Sequence, residues 1–393
     1  MDWERIAADT PGAVVQVFLD SAGSSLPPTP VLDVVTGYLR REAEIGGYRA
    51  AGERAGDLDR VKVSLGALLG APPHALALTD SATRAWTQVF YAIPLKPGEK
   101  ILLSGVEYAS NAVAALHRAQ VDGAVVEVVP SDPAGQIDLD ALEGLLDERV
   151  RIMSLVHVPT NGGLVNPVRE VSELVHTQGG FVLLDACQSI GQLRVDVTEL
   201  GVDALSGTGR KWLRGPRGTG FLYVRPDLIS SLAPPVIDLH SAAWLSRHSY
   251  VLSEDATRFE LWECNVAAHL GLGAAVDYLL GLGIDEVADA VGTRARRLRT
   301  ALAEIPQVRV RDLGREQCGI VSFTLDGIAP DKVRDALGDL GITVTVSQSA
   351  STLLDMQARG LPAVVRASPH YFVRPDQLDS AITALAAIAA GHH

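Results

Sequence analysis

Between residues 75 and 225, short apolar runs alternate with amphipathic stretches. ALALTD (75–80), KILLSG (100–105), VVEVVP (125–130), RIMSLVHV (151–158), FVLLDA (181–186), DALSGT (203–208) and FLYV (221–224) are aliphatic or β-branched and bounded by Gly, Pro or Asp, which predicts seven strands. Between several of them, as at 109–120 and 167–177, apolar residues recur at three- and four-residue spacing, the period of a helix with one buried face. A β-α-β-α order implies an α/β fold with a mainly parallel sheet covered by helices on both faces. Ligands of such sheets lie beyond the carboxyl ends of the strands, so polar motifs at strand ends are where chemistry is expected. A long helical stretch over 263–304 follows. Strands at 308–312, 319–325, 342–346 and 364–368, with helices at 330–340 and 375–390, then read as a smaller α+β unit. The segment 226–262 is rich in Pro, Ser, His and Trp and matches no element. The expected division is an N-terminal segment 1–25, a large domain 26–262, and a connecting helix with a small C-terminal domain over 263–393.

Charge narrows the class of partner. Lys and Arg total 34 against 47 Asp and Glu, a formal net charge of −13. A nucleic-acid binder needs a basic footprint, and an anionic membrane surface is disfavoured on the same ground. No run of 18 apolar residues predicts a membrane span, and the opening MDWERIAADTPG lacks the apolar stretch of a signal peptide, so a cytoplasmic location is expected. The three cysteines, Cys187, Cys264 and Cys318, are odd in number and widely spaced, which argues against a disulfide framework or structural zinc, and no metal is expected. His392 and His393 are assigned no function.

The strongest chemical signal is LLDACQS (183–189) followed by SGTGRKWLRGPRGTG (206–220). An aspartate ending an apolar strand is commonly a cap or a metal ligand, and a lysine near a strand end is commonly a solvated charge. Taken together they fit a Schiff-base lysine, Lys211, and a carboxylate partner, Asp185, for a pyridinium nitrogen: the pairing used with pyridoxal 5'-phosphate (PLP). The neighbouring Arg210 disfavours the ammonium form of Lys211 and lowers its pKa. LTDSATRAW (78–86) offers a strand-to-helix turn where the N–H groups of Ala82 and Thr83 face an anion, with Thr208 and Arg210 able to add a hydroxyl and a guanidinium. The plain alternative for that turn is a helix N-cap.

These motifs, in this order and over nearly the whole length, resemble the fold-type I, class V aminotransferase superfamily of PLP enzymes, which includes cysteine desulfurases and isopenicillin N epimerase-like proteins. The resemblance implies a PLP-dependent transferase fold with a seven-stranded sheet. FLDSAGSS (18–25) is similar to the family's opening strand and places Ala22 near substrate. SATRA (81–85) stands at the phosphate turn, giving that role to Ala82 and Thr83. VEYASN (106–111) matches the family's E-H-x-x-N segment and puts Tyr108 where a histidine commonly stacks on the cofactor ring. VHVPTNGGLVNPV (156–168) matches the strand end whose polar side chain reaches the cofactor oxygen, which is Thr160 or Asn161. The resemblance further gives Asp185 to the pyridine nitrogen, Gln188 to the phenolic oxygen, Thr208 and Arg210 to phosphate, and Arg366, in VRASPH (365–370), to the substrate carboxylate, a task suited to a bidentate guanidinium. TRFELWECN (257–265) is similar to a segment that the neighbouring subunit lends to the phosphate site, which implies a homodimer.

The departures choose the reaction. Cysteine desulfurases carry a nucleophilic cysteine on a loop shortly before the C-terminal arginine, and here the stretch 347–366 contains none. All three cysteines are expected to be buried and inert. Trp262 and Glu263 replace the family's Gly-Thr in the bridging segment, and a glutamate is a poor phosphate ligand. Tyr108, in place of histidine, keeps a flat ring and adds a phenol able to protonate a leaving group; simple ring packing accounts for it equally well. REAEIGGYRAAG (41–52) resembles a segment of the branch containing the ergothioneine-biosynthesis C–S lyase and cysteine-conjugate-processing enzymes of antibiotic pathways, with Tyr48 at the substrate entrance; the same glycines also suit a helix end. The expected activity is a C–S lyase that eliminates sulfur from an S-substituted cysteine or its S-oxide, with Lys211 as base. An aminotransferase, an epimerase or a decarboxylating oxidative deaminase of a cysteine conjugate in natural-product biosynthesis is the alternative.

Overall fold

In the computed structural model, which describes residues 1–391, seven strands form one sheet in the spatial order Leu76–Thr79, Gly220–Val224, Ala204–Thr208, Phe181–Asp185, Val150–Val156, Lys100–Ser104 and Val125–Val129. His392 and His393 lie outside the described residues. The five strands from Ala204–Thr208 to Val125–Val129 run parallel, whereas Gly220–Val224 is antiparallel to both of its neighbours. The inner strands are buried on both faces and read as continuous apolar runs, as a helix-covered parallel sheet demands. Val125–Val129, at the edge, is mostly part-exposed. Because Val150–Val156, Phe181–Asp185 and Ala204–Thr208 are adjacent and parallel, Thr160, Asp185 and Lys211 all follow the same end of the sheet.

A second sheet, of four strands, joins Val308–Val310, Val321–Leu325, Ala363–Ala367 and Thr345–Gln348 in antiparallel order. The run read as one strand over 342–346 divides: Thr345–Gln348 stays in this sheet, while Ile342–Thr343 pairs in parallel with Val17–Phe18 near the N-terminus. The chain after Phe18 continues that seam, with the Leu19 N–H donating to the Thr343 carbonyl (2.8 Å) and the Ser368 N–H donating to the Leu19 carbonyl (2.6 Å). This brings Asp20 beside Arg366, which sits on the strand Ala363–Ala367.

The helical stretch expected over 263–304 is two helices, Val266–Leu282 and Ile284–Ala303, bent by 83° at Gly283. Gly283 has φ +86°, a conformation that a side chain resists. Val266–Leu282 is apolar on most faces because it is enclosed, packing on the helices Thr29–Ile45 and Ala55–Leu69. Among the described residues no single helix is long and apolar enough to cross a membrane.

The segment 226–262 holds a β-hairpin, Ala242–Ser246 paired with Ser249–Leu252, and a 3-10 turn, Ala256–Phe259. Its strands carry no inside-outside alternation, because Trp244, Leu245, Tyr250 and Val251 are all exposed. A hairpin that buries neither face leaves no periodic signal in its sequence.

One glycine ties the sheet to the turn that enters the next helix. A Cβ on Gly220 would collide with the Ser81 carbonyl carbon and lie 2.5 Å from the Ala82 nitrogen, both backbone atoms. Gly220→Ala is therefore expected to displace that turn and to destabilise the protein by about 1–3 kcal/mol, as overpacking of a well-packed site does. Chemical denaturation of the two proteins checks it.

Candidate active site

Asp185 closes the strand Phe181–Asp185, and its buried carboxylate accepts the Cys187 N–H on Oδ1 (3.0 Å) and the Asn111 amide Nδ2 on Oδ2 (3.2 Å). Lys211 follows the neighbouring strand Ala204–Thr208. Burial pushes its amine pKa down; Arg210 and Arg366 push the same way, while Cys187 and Asp185 oppose them. The adjacent arginine thus acts in the expected direction, but dehydration of the amine is the larger cause. Both groups open into one cavity of about 130 Å³.

One end of that cavity gathers groups that suit an anion. The strand Leu76–Thr79 turns into the helix Ala82–Phe90 through Ser81, whose extended backbone and Oγ, accepting from the Arg84 N–H (3.2 Å), form an N-cap. Ala82 and Thr83 then present first-turn N–H groups, which an α-helix leaves without helical acceptors. Thr208 and Arg210 line the same cavity. The N-cap reading is thus met by Ser81, at the same turn that carries the anion reading. Asp80 and Ser81, from the same LTDSATRAW turn, also line the cavity, as do Gly218 and Thr219, which had no distinct signal in the sequence.

Tyr108, Thr160 and Gln188 complete the wall together with Val156 and Val158. Tyr108 is the N-cap of the helix Ala109–Asp122 and is 37% exposed. Of the two adjacent candidates at 160 and 161, Thr160 faces the cavity, whereas the Asn161 amide turns away and donates to Asp355 (2.8 Å). Gln188 is held on both sides: its Nε2 donates to the Ala22 carbonyl (3.0 Å) and to Thr160 Oγ1 (3.3 Å), and its Oε1 accepts the Trp212 indole N–H (3.0 Å). Ala22 is buried one layer behind, its own N–H donating to Ser368 Oγ (2.9 Å).

Arg366 is buried just beyond Thr160, donating to Thr160 Oγ1 (3.0 Å) and to Asp20 (3.0 Å), while its Nε has no hydrogen-bond partner. Burial raises the Asp20 pKa, with Arg366 opposing it. A carboxyl group is thus already seated on the guanidinium. Tyr48 is not brought to the cavity: it is 87% exposed in the helix Gly47–Glu53, and Gly46, at φ +86°, ends the helix before it.

Cys187 lines the cavity, and the expectation that all three cysteines are buried fails at Cys264, which is exposed. The Cys187 thiol pKa is raised well above the ordinary value, by burial first and then by Asp185. Cys318 is buried, its thiol pushed up by burial to about 11, and Cys264 is exposed.

The profile of the aminotransferase class-V family matches residues 17–380. The chain belongs to that family. Among curated relatives it is 27% identical over 384 residues to a probable cysteine desulfurase of Methanothermobacter thermautotrophicus, covering 96% of each chain. It is 30% identical over 383 residues to one of Mycolicibacterium paratuberculosis, covering 95% of this chain and 56% of that one. Among solved structures, the apo cysteine desulfurase of Thermococcus onnurineus superposes with a TM-score of 0.92 at 24% identity, covering 99% and 98% of the two chains. The cystine C–S lyase C-DES, solved with its product cysteine persulfide, gives 0.86 at 24% identity, covering 96% and 99%.

This class-V member is a PLP-dependent enzyme, and its cavity fits that cofactor chemically. The helix N-terminus, the Thr208 hydroxyl and the Arg210 guanidinium suit a phosphate. The buried Asp185 carboxylate suits a protonated ring nitrogen, the dehydrated Lys211 amine suits an aldehyde, and Tyr108 supplies a flat face.

Proposed function

We propose that the protein is a PLP-dependent C–S lyase that removes sulfur from an S-substituted cysteine, or its S-oxide, by β-elimination. In such a site the cofactor supplies an electron sink for a bond broken at the substrate Cα. Arg366 binds the substrate carboxylate in place of Asp20, helped by its unpartnered Nε, and so fixes which Cα bond faces Lys211. Lys211, whose ammonium form burial disfavours, takes the Cα proton. The pair freed from the Cα–H bond closes a Cα–Cβ double bond as the Cβ–S bond breaks, the sulfur leaves with the pair of that bond and gains a proton from Tyr108, and the released 2-aminoacrylate tautomerises and takes up water to give pyruvate and ammonia. Asp185 keeps a negative charge at the nitrogen end throughout. Thr208, Arg210 and the turn at Ala82 and Thr83 hold the phosphate.

The observation that carries this reading is the segment before Arg366. It contains no thiol to receive sulfur; a 3-10 turn, Ser349–Ser351, and a helix, Leu353–Ala358, take that place, and Asp355 pins them to Asn161 and Arg359. Cys187, at the cavity, keeps its proton because burial and Asp185 oppose the thiolate, which leaves it a weak nucleophile. A persulfide route through a protein cysteine therefore has no suitable acceptor, whereas elimination needs none. The exposed side chains of Trp244, Tyr250 and Trp262 support the homodimer that the 257–265 segment leads one to expect.

Incubation of the holoenzyme with cysteine S-conjugates and with free cysteine is the test. The expected result is pyruvate and a released thiol from the conjugates, with turnover of free cysteine lower by at least about tenfold, the discrimination that contacts to one added group supply. Persulfide on a protein cysteine would overturn the proposal. A keto acid retaining the sulfur would reassign the enzyme to transamination.

A further inference from the structure

Behind Asp185 lies a second buried carboxyl group that the proposed reaction does not use. Glu107, 3% exposed, precedes Tyr108 and accepts the Asn111 amide Nδ2 (2.9 Å) and the Tyr108 N–H (3.0 Å) on Oε1, with Ser154 Oγ at 3.1 Å from Oε2. The same Asn111 nitrogen donates its other proton to Asp185 Oδ2 (3.2 Å). One amide nitrogen thus bridges two buried carboxyl groups. Two negative charges this close cannot both persist cheaply, so one carboxyl keeps its proton. Asp185 has the Cys187 N–H, the nearby Lys211 and, in the holoenzyme, a protonated ring nitrogen to favour its charge. Glu107 is faced by the neutral Asn111 and Tyr108 N–H from its own segment, by the neutral Ser154 from the strand Val150–Val156, and by the negative Asp185 from the strand Phe181–Asp185.

We propose that Glu107 is a positioning residue: held as an uncharged acid, it fixes the Asn111 amide so that Asp185 remains the single negative charge at the nitrogen end of the cofactor cavity. The proposal rests on the reading of Asp185 as the ring-nitrogen partner. Burial, with Asp185 adding to it, pushes the Glu107 carboxyl up to about 8, in keeping with a proton retained at neutral pH. A glutamine reproduces the uncharged pattern, its oxygen accepting from Asn111 and Tyr108 and its amide donating to Ser154. Above that value the glutamate ionises and sets a second negative charge beside Asp185, while the glutamine does not. Since the folded pKa lies above the ordinary carboxyl value, Glu107 weakens folding progressively as pH climbs from that value to about 8, and Glu107→Gln removes this loss.

The test compares the holoenzyme with Glu107→Gln and Glu107→Leu, following the cofactor absorbance against pH, the cofactor dissociation constant and the melting temperature. The wild type is expected to show an absorbance step near pH 8 that vanishes in Glu107→Gln. Glu107→Gln should bind cofactor within about threefold of wild type and melt higher than wild type at pH 9. Glu107→Leu, which frees Asn111, should bind it at least about tenfold more weakly, as losing an outer hydrogen-bond partner typically does. A step near pH 8 that survives in Glu107→Gln, its absence from the wild type, or a Glu107→Gln as weak in cofactor binding as Glu107→Leu would each overturn the proposal. If the wild type bound PLP with the step intact while an Asp185→Asn variant kept a normal spectrum, the reading of Asp185 itself would fall instead.

Discussion

Lys211→Ala is expected to lose the visible absorbance of the bound cofactor and to lower the rate of pyruvate formation by at least about 10³-fold, within the range that removing a positioned general base costs. The protein should nonetheless fold, because the turn that carries the lysine is held by its neighbours. The Trp212 indole donates to Gln188 and the Trp212 carbonyl meets the His370 ring nitrogen at 3.0 Å. Arg214, at φ +63°, donates to the Leu26 carbonyl (2.8 Å), Tyr371 Oη (2.5 Å) and Thr10 Oγ1 (2.6 Å). None of these bonds involves the lysine side chain. Burial depresses the Lys211 pKa, so the folded protein holds its ammonium form less well than the unfolded chain does, and the amine weakens folding at neutral pH. Alanine removes that penalty. The cofactor-free variant should therefore melt at the same temperature as the cofactor-free wild type or higher, a stability gained as function is lost. Absorbance, pyruvate release and calorimetry on the two proteins check the three parts. An active Lys211→Ala would remove the lysine from the reaction.

Much of this site was legible because it is built from strand ends. Seven apolar runs bounded by breakers give the sheet, and a parallel sheet gathers the residues after its strands at one edge, so Asp185, Thr208, Arg210 and Lys211 point to a common place from their positions in the sequence alone. Side-chain orientation was not legible. Thr160 and Asn161 are adjacent and chemically alike as candidates, and only the packing of Leu353–Ala358, through Asp355, turns one away. Tyr48 lies in a glycine-rich segment that suits an entrance and a helix end equally, and the isolated chain exposes it. Glu107, the glutamate of VEYASN, was given no role because a glutamate reads as a solvated charge until its burial is known. The hairpin at 242–252 escaped because strand periodicity in a sequence records a buried face, and this hairpin has none.

Asp185→Asn is expected to cost about 10²–10³-fold in catalytic rate, the scale on which removing one preorganised group at a developing charge is felt. The substitution preserves shape, so the loss would report charge rather than packing. The Cys187 N–H still finds an oxygen at 3.0 Å if the new amide turns its Oδ1 that way, but its NH₂ then opposes the Asn111 Nδ2, donor against donor. Asn111 relieves this by flipping, which in turn breaks its bond to Glu107 unless that group donates its own proton. A second consequence is independent of the cofactor. The negative charge of Asp185 is one cause of the high Cys187 thiol pKa, so its removal lowers that pKa and raises the thiolate fraction at any fixed pH. Alkylation of Cys187 by a neutral reagent should then be faster in Asp185→Asn than in the parent, both made in a Cys264→Ser background because Cys264 is exposed and would mask the signal. The two readouts move in opposite directions, catalysis down and thiol reactivity up, and a charge on Asp185 that acts on both the reaction and Cys187 links them. A variant that loses rate with no change in labelling would be a packing defect, and one that keeps its rate would dismiss Asp185 as the partner of the ring nitrogen.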